Sequence, residues 1–587
     1  MKSSRIKKKR TNIKETKNNI KMSWRFMKKR KKSLFLMLFL SLILSLISVV
    51  IPVLSAKQLL SLSSGLLKDL IRVSIFIFIV EITRNITSFL MNKASDIYML
   101  KTVTDVQMEM FSETLKIETL EIDKSTSGTF IDRINNDTND IIGYFSRIIT
   151  DFIDFISNIG ILVAILFISK YMFIYFIITT IIIGYINKKR RDMYHKRAKK
   201  FRKIREKRTG LISEIIRGVR DVKLLNAKEG ILAKTKKQLE EVNVERIKMS
   251  KTSNRFNFFS GSIRDLFDVS FILLGTVLIS INDLSIANFI VLYTYKNKIE
   301  TLLNVYNSIA QQIKDFNLSA TRVFEVLDNK YQKEKDTGKE LTNIMGQIEF
   351  KNVSFSYDKD NVLENINFKI NPGERVGFVG ESGSGKSTIF NLITRLYMLN
   401  EGTILIDNQN INDISISSLR KNISLISQNP YIFNFSIEEN LKIANPKIDN
   451  QEMIEACKKS YIYEKIMDFD KGFKEEIGEG GIVLSGGEKQ RLAIARSLLK
   501  KSNIILFDEA TSALDNITQD KVQSAIYKLD KEKTILIIAH RLSTVINCDK
   551  LIVLDKGHIV GMGKHEELLK TCPKYKQLFK YETINNN

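Results

Sequence analysis

Between residues 33 and 307 the chain turns apolar again and again, for lengths that few soluble folds can bury. The first run, "SLFLMLFLSLILSLISVVIPVLSA", has no small-residue cleavage site and exceeds a signal-peptide core. Crossing a bilayer takes about 20 apolar residues in a helix, and lipid satisfies no backbone polar group, so runs of this kind must be helical. Six candidate spans follow, at roughly 33–54, 70–92, 145–168, 171–187, 262–282 and 286–307. An even number brings the chain back to the side it started from. The turns "SKYM" (169–172) and "NDLS" (282–285) are short, whereas 93–144 and 188–261 are long, polar and basic. Only Pro52 precedes Pro372, so nothing stops these helices from running well past the membrane. The mean hydropathy of −0.08 is the average of two unlike halves.

Charge sets the orientation. The net charge is +26, and the first 32 residues hold 15 Lys or Arg against one acid, directly before the first span. This is the positive-inside pattern, which places the N-terminus and the soluble part in the cytoplasm of a multi-pass cell-membrane protein. Membrane lipid, anionic lipid included, is therefore the expected partner of the basic segment, and nucleic acid is not. Cys457, Cys548 and Cys572 have no CxxC spacing, which excludes a disulfide framework or a zinc site. Ionisable residues fall within the spans: Arg72, Glu81, Arg84, Asp151, Asp154, Arg264, Asp265, Asp268, Lys296 and Lys298. Such groups are costly in lipid and often functional. If they line a cavity, the cargo is charged or zwitterionic, such as a peptide or a lipid headgroup.

The expected organisation is a basic cytoplasmic segment (1–32), a transmembrane domain (33–328), a polar linker (329–346) and a soluble domain (347–585). Residues 308–328 read as a last amphipathic helix. Beyond Gln347, "VGFVG", "ISLIS", "IILFDE", "TILIIAH" and "LIVLD" are strand candidates of an α/β domain with a mostly parallel sheet. The expected fold class is a membrane all-α six-helix transmembrane domain plus a soluble α/β domain.

The stretch "GESGSGKST", Gly380 to Thr388, lies between a strand and a helix, the context a phosphate-binding P-loop requires. Backbone amides of Gly380, Glu381, Ser382, Gly383, Ser384 and Gly385 would wrap ATP phosphates, and the helix N-terminus adds positive potential. Lys386 would neutralise the β- and γ-phosphates, and Ser387 would ligate Mg²⁺. Asp508 ends a buried strand at the sheet edge where ligands of open α/β sheets bind, and would hold Mg²⁺ through water. Glu509 would polarise the attacking water. A second anion-receiving helix N-terminus, Ser485 to Glu488, has no second P-loop to serve. It therefore suggests two domains sharing one nucleotide, with Ser485, Gly486 and Gly487 closing on a γ-phosphate. Asp515 follows the carboxylates where a neighbouring subunit is within reach, and His540 ends a strand where it can meet the γ-phosphate.

These motifs, "GESGSGKST", "LSGGEKQR", "IILFDE", "SALD" and His540, stand in the order of an ABC-transporter nucleotide-binding domain, which the whole soluble part resembles. The resemblance implies that Gln428, in "ISQNPYIFNFSIEENL", assists catalysis and metal binding. It implies that Tyr357 stacks on adenine, a role its flat π face suits. It also implies ATP hydrolysis at two sites formed between paired chains, with Ser485–Gly487 acting in trans. "GTFIDRINNDTNDI", "SEIIRGVRDVKLLNAKEG" and "SATRVFEVLD" look like the coupling regions and last helix of the exporter branch. Six spans on one ATPase domain make a half-transporter, which needs a second chain as a homodimer or heterodimer. The expected function is ATP-driven export of a drug, lipid or peptide. The alternatives are a siderophore-type importer of the same fold, an ATP-switched membrane regulator or channel, and a soluble DNA clamp sharing the signature, which the six spans oppose.

Overall fold

The computed structural model describes residues 2–125, 127–328, 330–357, 361–478, 481–508, 532–539 and 542–585, apart from the side chains of 2–13, 127, 297–301, 303, 582–585 and several positions between 191 and 206. The chain divides into two compact units, Met1–Phe111 with Phe130–Asp328, and Ser112–Thr129 with Asn329–Asn587.

The first unit is helical. It contains α1 (Lys2–Met27) and α2 (Lys31–Ser63), and then α3 (Leu67–Thr114), whose last turn falls in the second unit together with α4 (Thr119–Asp123). It continues through α5 (Ser127–Asp132), α6 (Thr138–Ile168), α7 (Lys170–Arg217), α8 (Val219–Leu224), α9 (Lys228–Ser280) and α10 (Ile286–Leu327). At 1.5 Å per residue, helices of 48, 48 and 53 residues (α3, α7, α9) run far beyond a bilayer core of about 30 Å. Among the described residues, Lys14–Ser63, Leu67–Thr114, Gly128–Ile168 and Lys170–Arg190 are long and apolar enough to cross a membrane. The helix carrying the expected span 262–282 does not meet that measure, because Arg264, Asp265 and Asp268 crowd the window that fits before Ser280. Large side chains such as Phe35, Phe78, Phe89 and Phe167 face outward, as a lipid-bathed surface requires.

Polar pairs fix how these helices meet. Helix α6 lies along α10. Arg133 pairs with Glu325 at 3.1 Å, Ser319 donates to Asp140 at 3.4 Å, and Ser308 donates to Asp151 at 2.8 Å. Positions rising along one helix meet positions falling along the other, so the two are antiparallel. Gln312 also donates to Asp151, at 2.7 Å, and Lys296 of α10 pairs with Asp268 of α9 at 2.6 Å. Glu81 and Arg84 bind one another at 2.7 Å, and Arg72 faces Asp69 at 3.8 Å. Several of the ionisable residues within the spans are thus tied to one another or to neutral donors. The basic segment is built in as well. Arg25 and Arg30 pair with Glu109 and Asp105 of α3, and buried Asn19 bonds Asn317 and Thr321 of α10.

The second unit holds two sheets. All five expected strands, β3 (Arg375–Val379), β6 (Ile423–Ile426), β7 (Ile504–Asp508), β8 (Thr534–Ile538) and β9 (Lys550–Asp555), lie in one parallel array ordered β9-β3-β8-β7-β6. An antiparallel edge strand, β10 (His558–Gly563), flanks β9. Their near-continuous apolar runs are what a sheet covered on both faces demands. The second sheet is antiparallel: β2 (Asn361–Ile370), β1 (Ile348–Ser356), β4 (Glu401–Ile406) and β5 (Gln409–Asn410), in that order. It goes beyond the mostly parallel expectation. Its first strand buries Ile348 and Phe350, then Val353 and Phe355, two period-two pairs separated by a register shift, as a half-exposed sheet tolerates. Helices α11 (Lys386–Ile393), α12 (Ile416–Lys421), α13 (Ile437–Lys442), α14 (Asn450–Lys459), α15 (Tyr463–Met467), α16 (Gly486–Leu499), α17 (His565–Thr571) and α18 (Pro573–Asn585) complete the described part.

Residues 330–346, polar in composition, are strapped to this unit. Glu118 N–H donates to Gln332 O and Glu334 N–H to Lys116 O, an antiparallel bridge to the segment before α4. Lys339 pairs with the 413–415 backbone, and Leu341 is buried. Arg420 grips Glu334 through both nitrogens, at 2.7 and 2.8 Å, while also donating to the carbonyls of Thr394 and Arg395. Bidentate geometry of this kind is the strong form of an ion pair. Replacing Glu334 with Gln keeps one bond and removes the charge. The second unit should then unfold about 1–2 kcal/mol more easily, and Arg420→Ala should cost more because two carbonyls also lose their donor. Calorimetry on the full chain checks the order of the two losses.

Candidate nucleotide site

The P-loop leaves β3 at Val379 and enters α11 at Lys386. Its geometry is set by three glycines at positive φ: Gly380 at +156°, Gly383 at +81° and Gly385 at +99°. Gly385 caps α11. A Cβ there would lie 2.6 Å from the Leu363 side chain and 3.2 Å from the Val362 carbonyl, so both backbone and space require glycine. The Lys386 ammonium is folded back into the loop, donating to the carbonyls of Gly380 and Glu381 at 2.8 Å each. It is 7% exposed. A cation held by backbone carbonyls at a helix N-terminus is ready for an anion. Ser384 is buried, while Ser382 is exposed.

Ser387 Oγ donates to Asp508 Oδ1 at 3.1 Å. A hydroxyl and a carboxylate thus converge at the tip of β7, the hard oxygen donors that Mg²⁺ prefers. Mg²⁺ keeps several waters and takes one or two protein oxygens beside substrate phosphates. This donor set fits, even though no group of three His, Cys, Asp or Glu gathers among the described residues. Tyr357 stands next to Thr388, their hydroxyls 3.2 Å apart, and Tyr397 packs edge-on to it at 5.1 Å. Glu381 accepts from Lys574 of α18 at 2.6 Å, and Lys574 also reaches Asp555, which pins the loop's second residue.

Gln428 follows β6, and its carbonyl accepts from buried Gln490 of α16 at 3.1 Å. Ser485 caps α16: its Oγ accepts from Glu488 N–H while the Glu488 carboxylate accepts from Ser485 N–H, a reciprocal capping box. Ser485 and Gly486 are exposed and Gly487 is half-exposed, so this 14-residue helix offers its N-terminus to solvent. Glu509, Asp515 and His540 lie outside the described residues.

Sequence reasoning missed Tyr397. It donates to Asp123 of α4 at 2.8 Å, and burial together with that carboxylate pushes its phenol above the ordinary range. No spacing singles it out; only the fold brings α4 beside it.

With this geometry in place, comparison with known proteins decides the family. A sequence model described as ABC transporter matches residues 363–512, and one described as ABC transporter transmembrane region matches 34–300. The ATP-dependent lipid A-core flippase of Legionella pneumophila is 33% identical over 485 residues, 81% of each chain. The chain belongs to the ABC transporter family. The Escherichia coli lipid A-core flippase is 32% identical over 85% of this chain and 87% of its own. Bacillus subtilis YgaD, whose name describes a multidrug export ATP-binding/permease protein, is 40% identical over 49% of this chain and 50% of its own. A heavy metal tolerance protein of Schizosaccharomyces pombe is 40% identical over 49% of this chain, and that match spans 35% of its own length.

This ABC transporter is an exporter-type half-transporter: a helical transmembrane domain fused to an ATPase that drives transport. Export, not siderophore-type import, is the direction its relatives indicate. Gly385→Ala is expected to lower ATP affinity at least tenfold and the thermal midpoint only slightly, because the strain lies in the loop while the added Cβ presses on Leu363 and Val362 of β2. Binding of a fluorescent ATP analogue to the nanodisc-embedded chain, compared with its thermal midpoint, checks this.

Proposed function

We propose that two chains of this type pair to export an amphiphile with a charged headgroup, a lipid in the first instance. The flippase alignments span 485 and 511 residues, more than the roughly 240 residues of the ATPase domain, so they take in much of the membrane domain as well. The relatives named for drugs and heavy metals align over about half the chain. The membrane domain itself supplies polar anchors, with Asp151 held by Ser308 and Gln312, and Lys296 held by Asp268, on helices otherwise sheathed in apolar residues.

The observation that carries the pairing is the solvent-facing N-terminus of α16. An anion-receiving helix end with an exposed Ser485–Gly486 turn suits a nucleotide held by the P-loop of a second chain. In this reading Tyr357 stacks on adenine, and Gly380 to Gly385 with Lys386 and Thr388 hold the phosphates. Ser387, Asp508 and Gln428 would hold Mg²⁺, which supplies charge neutralisation at the phosphates. Ser485, Gly486, Gly487 and Glu488 of the other chain close the pocket, with Asp515 at the contact. Glu509 orients the attacking water and His540 meets the γ-phosphate. Both ATPase units lie in the cytoplasm. Closure of the two on ATP switches the membrane helices from inward- to outward-facing, and hydrolysis releases them.

Proteoliposomes carrying a headgroup-labelled fluorescent phospholipid test this. ATP should move label across the bilayer in the wild type. Glu509→Gln should bind ATP, lower turnover at least a hundredfold and stop movement. Undiminished hydrolysis in that variant refutes the role of Glu509, and ATP turnover without lipid movement refutes the cargo.

A further inference from the structure

Beside Gln428 the surface of the second unit holds a half-open pocket of about 170 Å³ between β6 and the C-terminal half of α16. On the scale of about 30 Å³ per water it holds several, and so has room for a tetrahedral oxyanion. Its polar lining comprises Ser424, Ser427, Ser497, Arg496 and Lys500, with the Tyr431 side of the following turn opposite. Both cations are half-buried, yet no carboxylate among the described residues pairs with either. Arg496 Nη2 donates to the Tyr431 carbonyl at 2.8 Å, and Lys500 Nζ donates to the Ile423 carbonyl at 2.6 Å. Carbonyl dipoles do not neutralise two like charges one helical turn apart. Burial accordingly holds the Arg496 guanidinium and the Lys500 ammonium below their ordinary values, with Arg420 adding to the effect at Lys500.

Ser497 gives an independent sign. It lies between the two cations in sequence, lines the cavity and is 8% exposed. Its Oγ finds no hydrogen-bond partner among the described residues. A buried hydroxyl without a partner costs about 1–3 kcal/mol unless something outside the chain fills the place. The neighbouring Ser424 does not need such help: it donates to the Ser497 carbonyl at 3.4 Å and accepts from Ser502 at 2.6 Å. Two uncompensated cations therefore line a space with room for several waters, and the idle Ser497 hydroxyl lies buried behind its wall.

We propose that this pocket is a binding site for a free phosphate-sized oxyanion, separate from the P-loop, with Arg496 and Lys500 supplying the charge and the Ser497 hydroxyl turning about χ1 to donate a hydrogen bond to it. ATP hydrolysis releases such an anion. The site adjoins the 428–431 turn that α16 already holds at both ends, through Gln490 to Gln428 O and Arg496 to Tyr431 O. An occupied cavity would stiffen that turn.

The test is equilibrium dialysis of radiolabelled orthophosphate against the full chain in nanodiscs, carrying Lys386→Ala so that the P-loop does not compete. One saturable site per chain is expected. Lys500→Met, which keeps the apolar stem, should weaken it at least tenfold. Ser497→Asp places a carboxylate in the cavity. It should abolish phosphate binding and raise the thermal midpoint in phosphate-free buffer, whereas phosphate raises the midpoint only of chains with Ser497. Lack of saturable binding in the Lys386→Ala chain overturns the proposal, as does binding that survives Lys500→Met at full strength. Should Ser497→Asp fail to fold, the Lys500→Met comparison alone decides.

Discussion

The second unit is organised around one electrostatic problem, a lysine ammonium buried at the start of a helix. Lys386 sits on α11 where the helix N-terminus is itself positive, and it is 7% exposed. Two carbonyls of its own loop hold it there, in a turn where Gly380, Gly383 and Gly385 adopt positive φ. The loop is therefore shaped before any phosphate arrives. The sheet order then places β7 so that Asp508 reaches Ser387 of the same helix. Phosphoryl transfer asks of a protein chiefly positioning and charge, and both are laid down in backbone geometry.

How much of this was legible beforehand depends on whether a feature is local. The P-loop glycines, the apolar strands ending in Asp508 and the capping residues of α16 are read from adjacent residues, because turn chemistry and strand periodicity act over a few positions. All five expected parallel strands are in the sheet for that reason. The antiparallel sheet was harder to see: β1 and β2 alternate and carry register shifts, so their apolar runs are broken. Tyr397 with Asp123, and Arg420 with Glu334, were not legible at all. Their partners lie 274 and 86 positions apart, and nothing in either short stretch names the other.

The same distinction explains the strap at 330–346. Its composition of Lys, Glu, Asp and Thr reads as solvated chain, and a solvated chain is what polar residues usually make. Here the main chain finds partners on both sides, the segment before α4 on one and the 413–415 backbone on the other, while Glu334 finds a bidentate arginine. Backbone pairing is indifferent to side-chain polarity, so composition carries no trace of it. A one-residue shift would also move Glu334 out of reach of Arg420, and the ion pair therefore sets the register that the backbone bonds alone would leave loose.

This has a consequence for how force travels through the second unit. Arg420 belongs to α12, which leads directly into β6, and β6 delivers Gln428 to the sheet edge. The segment before α4, residues 330–346 and helix α12 are thereby joined by hydrogen bonds and ion pairs. A rigid connection transmits displacement only if its ends move together, and here both ends are pinned by charge as well as by backbone: Lys333 to Glu113 at 2.7 Å on one side, Arg420 to Glu334 on the other. Fast rearrangement of this strap would require breaking both ion pairs and the intervening backbone bonds at once. The strap therefore ties the segment before α4 and helix α12 into one piece.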